Sequence, residues 1–130
     1  MVNDLQQLAN MATAIKCPKH TEIIKEGDNT HYNMYIILSG GLRVVKNYGE
    51  AGQTVLSTLG VGDAFGEMSL FLKKPRSASV VAFKDSVLLE ITEDRVLEII
   101  SSNPKLLYGL IKTLCERIEH LNGKIASRSW

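Results

Sequence analysis

The stretch FGEMSL occupies residues 65–70 of this chain, and the stretch PRSASV follows at residues 75–80. A glycine at the start of a short helix lets a ligand approach bare backbone N–H groups, and the N-terminus of a helix favours anions. Arg76 can close over the same anion with its forked guanidinium, and the Ser77 hydroxyl can donate beside it. The two stretches therefore predict an anion-binding turn.

Glu67 adds information about the rest of the ligand. A carboxylate repels phosphate but accepts hydrogen bonds, so Glu67 fits a ligand that also carries a neutral hydroxyl, such as a sugar. A nucleotide with a phosphate and a ribose hydroxyl meets both conditions. In the alternative interpretation, Glu67 complements the helix N-terminus of an ordinary strand-to-helix turn and Arg76 is a solvated surface charge. The spacing alone leaves both interpretations open.

The same residues resemble the phosphate-binding cassette of the cyclic nucleotide-binding domain family. That family includes the regulatory subunits of cyclic AMP-dependent kinases, catabolite activator protein and cyclic nucleotide-gated channels. The resemblance covers residues 20–127 and is carried outside the cassette by segments 21–28, 35–40 and 60–63. It implies a mainly β fold: an antiparallel β-roll of the jelly-roll type (a double-stranded β-helix), with an N-terminal helix and two C-terminal helices.

The resemblance also implies roles for individual residues. The Glu67 carboxylate and the Gly66 backbone would hold the ribose 2′-hydroxyl. The cyclic phosphate would be held by Arg76 and Ser77, together with backbone groups of Met68, Ser69 and Ala78. The candidate apolar walls beside the sugar and base are Leu59, Val61 and Phe65.

The resemblance leaves the identity of the base less defined. Cyclic AMP is the expected ligand, but Ser77 stands where the kinase proteins usually have alanine and where cyclic GMP-preferring relatives have threonine. Cyclic GMP therefore stays open. The cap over the base should come from the last helix, and four residues are candidates for it: Arg117, His120, Leu121 and Trp130.

The pattern along the chain predicts one domain over residues 1–130, beginning with a helix at residues 3–16. Leu5, Leu8, Met11 and Ile15 recur at helical spacing, and Pro18 ends the pattern. Short β-branched and apolar runs separated by glycine turns then predict a β-roll over residues 20–91. The predicted strands are at 23–24, 32–38, 42–45, 54–59 and 87–89, with a further strand entered after Arg76.

Within the β-roll, residues 66–72 are expected to form one or two helical turns. The apolar residues of these turns, namely Met68, Leu70, Phe71 and Leu72, are expected to be core packing residues.

Two helices are predicted over residues 93–127. Thr92 is a good N-cap for the first, and Pro104 suits the first turn of the second. The second carries a heptad seam of alternating leucine and isoleucine over residues 107–125, which favours a parallel two-stranded coiled coil. The alternative is that this seam packs on the β-roll of its own chain. Ser101 to Pro104 forms a natural hinge, so ligand binding is expected to move these helices.

Composition restricts the other functions. A net charge of +1 provides no field for gathering nucleic acid, and no apolar run reaches the ~20 residues that span a membrane. The two cysteines lack metal-ligand spacing and are expected to be free thiols. A cytoplasmic protein is expected, with no signal peptide and no DNA-reading helix after the seam.

Catalysis is not expected. The three histidines are scattered, no cluster has the spacing of a metal site, and no nucleophile–base pair is readable. We therefore expect a non-enzymatic cyclic nucleotide receptor with no metal or cofactor, acting on an unidentified effector protein. The alternative is an interaction or dimerisation module that keeps the fold but needs no nucleotide.

Overall fold

The computed structural model describes residues 12–102 and 104–124 of the 130-residue chain. The secondary structure elements of these residues are, in chain order, β1 (Thr13–Cys17), β2 (Glu22–Ile24), β3 (Met34–Ser39), β4 (Leu42–Lys46), β5 (Thr54–Leu59), β6 (Ala64–Phe65), α1 (Glu67–Leu72), β7 (Ser79–Ala82), β8 (Ser86–Ile91), α2 (Glu93–Ser102) and α3 (Pro104–Lys124).

The strands form two antiparallel sheets with the orders β1-β8-β3-β6 and β2-β7-β4-β5. Early strands pair with late ones in reverse order: β1 with β8, β2 with β7, β3 with β6 and β4 with β5. A long hairpin that is rolled up on itself gives this pairing, which is that of a jelly roll. The predicted fold class, mainly β with helices, is confirmed.

One hydrophobic core lies among the strands. Both sheets contribute to it, and β7 is buried along its whole length. Tyr35 of β3 stacks on Phe65 of β6, with the ring centroids 5.1 Å apart. The buried members of the core are Cys17, Ile24, Tyr35, Ile37, Leu42, Phe65, Val80, Ala82 and Leu88.

The predicted N-terminal helix at residues 3–16 is wrong over its last turn. Residues 3–11 lie outside the described part of the chain, whereas residues 13–16 belong to strand β1. This strand pairs in continuous register with β8, from Thr13↔Glu90 to Cys17↔Ser86. Ile15 and Cys17, two residues apart, share the face that packs on the core. Ile15 therefore follows the two-residue period of a strand, and its spacing from Met11 in the sequence is helical only by coincidence.

The other predicted elements agree with the structure within a few residues. The five apolar runs are strands β2, β3, β4, β5 and β8, the strand after Arg76 is β7, and the turns at 66–72 are helix α1. The two predicted C-terminal helices are α2 and α3 as far as Lys124, and residues 125–127 lie outside the described part. Strand β6, of two residues, was not predicted.

The chain divides into two compact units, one up to Val96 and one from Leu97 onward. In the second unit, Ile111 and Ile118 of the predicted seam are 52% and 57% exposed. The side chains of Leu107 and Leu121, and all of Ile125, fall outside the described part of the chain. No helix among the described residues is both long enough and apolar enough to cross a bilayer.

Candidate functional site

The site begins where strand β6 ends. Gly66 is the N-cap of α1 and has a φ of 91°, in the left-handed region that favours glycine. A Cβ atom on Gly66 would lie 2.7 Å from the carbonyl oxygen of Asn33 and 3.2 Å from Nη1 of Arg76. Glycine is therefore required here both by the backbone conformation and by the close approach of two neighbours.

Glu67 follows as the first residue of α1, and only 1% of its surface is exposed. Burying a carboxylate costs free energy unless polar or positive groups compensate. The positive charge of Arg76 is one such group, because its guanidinium is held at the carbonyl of Gly66, the residue before Glu67. The structure thus brings the predicted ribose-binding carboxylate to the same place as the predicted phosphate-binding arginine.

Arg76 is 5% exposed, which excludes the interpretation of this residue as a solvated surface charge. Its guanidinium donates a 2.8 Å hydrogen bond from Nη1 to the Gly66 carbonyl and another of 2.8 Å from Nη2 to the Asn33 carbonyl. Burial lowers the pKa of Arg76, and nearby Tyr35 and Asp28 oppose that shift. An arginine retains its charge under such conditions. The site therefore holds a buried positive charge in a fixed orientation.

The backbone on either side of Arg76 is fixed by the turn after β2. The Arg76 N–H donates to the Asp28 carbonyl at 2.9 Å, and the Arg76 carbonyl accepts from the Gly27 N–H at 2.8 Å. The next carbonyl, that of Ser77, accepts from Nζ of Lys46 at 2.8 Å. The segment that carries the arginine is therefore held by contacts from two other parts of the chain.

The remaining residues predicted for the phosphate differ in exposure. Ser69 and Ala78 are buried, whereas Met68 and Ser77 are exposed. An exposed Ser77 hydroxyl is accessible to a ligand. Met68 and Ser69 were predicted to act through their backbone, and both lie in the first turn of α1.

The packing prediction for α1 is correct only for Leu70, which is buried. Met68, Phe71 and Leu72 are exposed within the chain. A helix of six residues has room to turn only part of its surface toward the core, and the buried residues Glu67, Ser69 and Leu70 occupy that part.

The three residues predicted as pocket walls differ in their exposure. Phe65 is a core residue stacked on Tyr35, Leu59 is half-buried against the same core, and Val61 is 68% exposed. Phe65 therefore has little surface left for a ligand. The predicted cap residues contribute no side chain to the described part of the structure, where Arg117, His120 and Leu121 appear as helix backbone alone and Trp130 not at all.

Three contributors to the site were missed in the sequence. Asn33 acts through its carbonyl, which every residue type has, so it leaves no signal in the sequence. Lys46 and Glu26 form an ion pair of 3.1 Å beside the cassette, although both are distant from it along the chain. Among the described residues, no cluster of histidine, cysteine or carboxylate side chains could hold a metal ion.

Comparison with known proteins agrees with this geometry. The family model described as the cyclic nucleotide-binding domain matches residues 14–103. A curated relative, the cyclic AMP receptor protein of Thermus thermophilus, is 33% identical over 101 residues, which are 78% of this chain and 46% of that protein. The chain spans about half the length of such relatives.

Two solved structures show the same fold. The catabolite activator protein of Thermus thermophilus superposes with a TM-score of 0.84 at 26% identity, over 96% of this chain and 58% of that one. The regulatory domain of Toxoplasma gondii PKA, crystallised with cAMP, gives a TM-score of 0.66 at 34% identity, over 75% of this chain and 36% of that one. The jelly roll, with buried Glu67 and Arg76 beside the half-buried Gly66, is a domain of the class that the family model describes. This chain belongs to the cyclic nucleotide-binding domain family.

Proposed function

We propose that this chain binds a 3′,5′-cyclic nucleotide, with cyclic AMP as the preferred ligand. The observation that carries the proposal is the buried pair Glu67 and Arg76, which are 1% and 5% exposed and meet at Gly66, whose carbonyl accepts a hydrogen bond from Arg76. Burial of two charged groups is costly, so their presence together at one site favours a binding role. Relatives whose names refer to cyclic AMP support the same ligand.

Arg76 is the principal phosphate ligand in this proposal. A guanidinium has five N–H donors, and the Gly66 and Asn33 carbonyls orient two of its nitrogens. The other N–H donors of this guanidinium are then available to a phosphate oxygen without a change of rotamer. The exposed Ser77 hydroxyl and the backbone N–H groups of Met68, Ser69 and Ala78 complete the set.

Glu67 is the ribose ligand in this proposal, and the Gly66 backbone assists it. An ionised carboxylate only accepts hydrogen bonds, so it selects a ligand that has a hydroxyl at the 2′ position. Cyclic GMP has the same sugar and phosphate as cyclic AMP. The choice between the two nucleotides therefore depends on contacts to the base, which we assign to residues of the last helix.

We further propose that ligand binding moves the C-terminal helices. Lys73, which ends α1 in a left-handed conformation, forms an ion pair with Glu93 at the start of α2. Nζ of the same lysine lies 5.5 Å from the ring centroid of Tyr32. A rearrangement of the cassette would thus reach α2 directly. In this proposal the domain is a cytoplasmic, non-catalytic sensor that acts on an effector protein.

The exposed seam of α3 favours a second candidate function. Ile111 and Ile118 are seven residues apart and more than half exposed, which suits pairing with α3 of a second copy. A dimer built on this seam is compatible with nucleotide binding. The same seam would also serve an interaction module that needs no nucleotide, and that is the alternative function.

One calorimetric titration distinguishes the two functions. The protein is titrated with cyclic AMP, cyclic GMP and 5′-AMP, and its melting temperature is measured with each. Cyclic AMP should bind and raise the melting temperature. At a hundredfold excess over Kd, the ligand should add about 2.7 kcal/mol to the free energy of unfolding. 5′-AMP should bind much more weakly. If neither cyclic nucleotide binds at millimolar concentration, the receptor function is wrong and the interaction module is favoured.

A further inference from the structure

Strand β4 stops pairing with β7 immediately before the segment that carries Arg76. The last register pair of the two strands is Val45↔Ser79, so Lys46 and Ala78 are the next residues in line. No further pair is formed there. Instead, Nζ of Lys46 donates to the Ser77 carbonyl at 2.8 Å. The Lys46 side chain thus supplies a hydrogen bond at the point where backbone pairing between β4 and β7 ends.

The Lys46 side chain is itself held in place. Its Nζ forms an ion pair with Oε2 of Glu26 at 3.1 Å, and Oε1 of Glu26 accepts the Asn47 N–H at 2.9 Å. These contacts lower the pKa of Glu26, with the hydrogen bond from Asn47 as the largest cause and that from Lys46 as the next. The carboxylate therefore stays ionised and orients the lysine.

The backbone of Glu26 is tied to the same region. Its N–H donates to Oγ of Ser79 at 3.1 Å, and this hydroxyl donates to Oε2 of Glu22 at 2.7 Å. Gly27, the next residue, donates to the Arg76 carbonyl. Lys46 thus binds the Ser77 carbonyl, and the turn at 26–28 binds the Arg76 carbonyl immediately before it.

A carbonyl that is held in place also fixes the direction of the N–H in the same peptide group. In a trans peptide the C=O and the N–H point in opposite directions, and the described residues contain no cis peptide. A Ser77 carbonyl that faces Lys46 therefore turns the Ala78 N–H to the opposite side of the chain. The Arg76 carbonyl faces Gly27, so the Ser77 N–H points away from Gly27.

We propose that Lys46 is a positioning residue of the phosphate site: by holding the Ser77 carbonyl it aims the Ala78 N–H at the bound phosphate. This inference rests on the proposed function. Lys46 does not touch the ligand, and it acts through one peptide plane. Because Lys46 and Glu26 are partly exposed, their attraction is screened by solvent, and the effect on affinity is correspondingly moderate.

Two substitutions test this role by calorimetry with cyclic AMP. Lys46→Met keeps the length of the side chain and removes the donor, so Kd should rise about twofold to fivefold, as expected for one partly exposed charge-assisted contact. Lys46→Arg keeps a donor and should restore most of the affinity. Lys84→Met is the matched control, because Lys84 is an exposed lysine beside the Phe83 ring and away from the cassette. Its Kd should be that of the wild type.

A ligand-free measurement separates positioning from general stability. In carbon- and nitrogen-labelled protein, Lys46→Met should shift the Ser77 carbonyl and Ala78 amide nitrogen resonances, whereas Lys84→Met should leave both unchanged. Unshifted resonances, or wild-type affinity in Lys46→Met, would overturn the role of Lys46 while the receptor function stands. Failure of the wild-type protein to bind any cyclic nucleotide would instead overturn the receptor function. If the resonances shift in that case, Lys46 holds the backbone of this segment but has no role in ligand binding.

Discussion

Nη1 of Arg76 donates a 2.8 Å hydrogen bond to the carbonyl of Gly66, ten residues earlier in the chain. This contact joins the two stretches that bracket helix α1. The Gly66 carbonyl belongs to the N-cap, so the arginine is held against the residue that sets the direction of the helix. A group that binds Arg76 would therefore act on the start of α1 as well.

Replacing Arg76 should affect binding most. Arg76→Ala removes the buried guanidinium and should cost roughly 2–5 kcal/mol of cyclic AMP affinity, as for other desolvated charge pairs. Arg76→Lys should recover only part of it, because an ammonium cannot bridge two carbonyls and a phosphate with the geometry of the planar fork. Calorimetry measures both variants. Affinity within twofold of the wild type in Arg76→Ala would contradict the assigned phosphate contact.

Replacing Glu67 should change the preference between sugars. Glu67→Ala should remove the hydrogen bond to the ribose, worth roughly 1.5–3 kcal/mol for a charged acceptor, and leave ribo- and 2′-deoxyribo-cyclic AMP with equal affinity. Competition binding with both nucleotides gives the ratio. Glu50→Ala, at an exposed carboxylate in the β4–β5 turn, is the control and should keep the wild-type preference. An equal loss for both sugars in Glu67→Ala would show that the carboxylate does not contact the 2′-hydroxyl.

Replacing Gly66 tests the backbone requirement. In Gly66→Ala the left-handed φ should cost about 1–2 kcal/mol. The new Cβ would also press on the Asn33 carbonyl and on Nη1 of Arg76. Both the free energy of unfolding in urea and the affinity for cyclic AMP should fall. Gly60→Ala is the matched control, since a Cβ there meets no atom within 4 Å. The requirement is disproved if the two variants behave alike.

The ion pair between Lys73 and Glu93 should transmit binding to the C-terminal helices. In the wild type, cyclic AMP should increase protection from hydrogen exchange both at residues 60–80 and at residues 96–124. Lys73→Met should keep the first effect and weaken the second, with Lys84→Met as the control. If wild-type protection is confined to residues 60–80, the domain is a binding pocket without a switch.

The seam of α3 should control the oligomeric state. Ile111→Glu and Ile118→Glu each place a charge on a face that a dimer would bury, so sedimentation should give the mass of a monomer where the wild type gives that of a dimer. Lys112→Glu, at an exposed neighbour, should leave the mass unchanged. A wild-type protein that is monomeric at high concentration would exclude dimerisation through this seam.

Local patterns explain why much of the molecule was predictable. The cassette is a contiguous run in which a glycine conformation, a carboxylate and an arginine lie close along the chain, so it is visible before folding. Strands β3 to β5 are bounded by glycine turns, and α3 carries a clear heptad period. By contrast, β1 was misassigned because its two-residue period becomes decisive only when it pairs with β8, more than 65 residues away.

The sequence by itself determined the mainly β fold, the family and the residue types available to bind phosphate and ribose, because these depend on short-range spacing and side-chain chemistry. Only the tertiary structure decided that Arg76 is buried, that the Asn33 carbonyl orients it and that Lys46 holds the next peptide. Backbone carbonyls are the same in every residue, and contacts between distant segments arise only when the strands have paired. The orientation of the site is therefore a property of the folded chain.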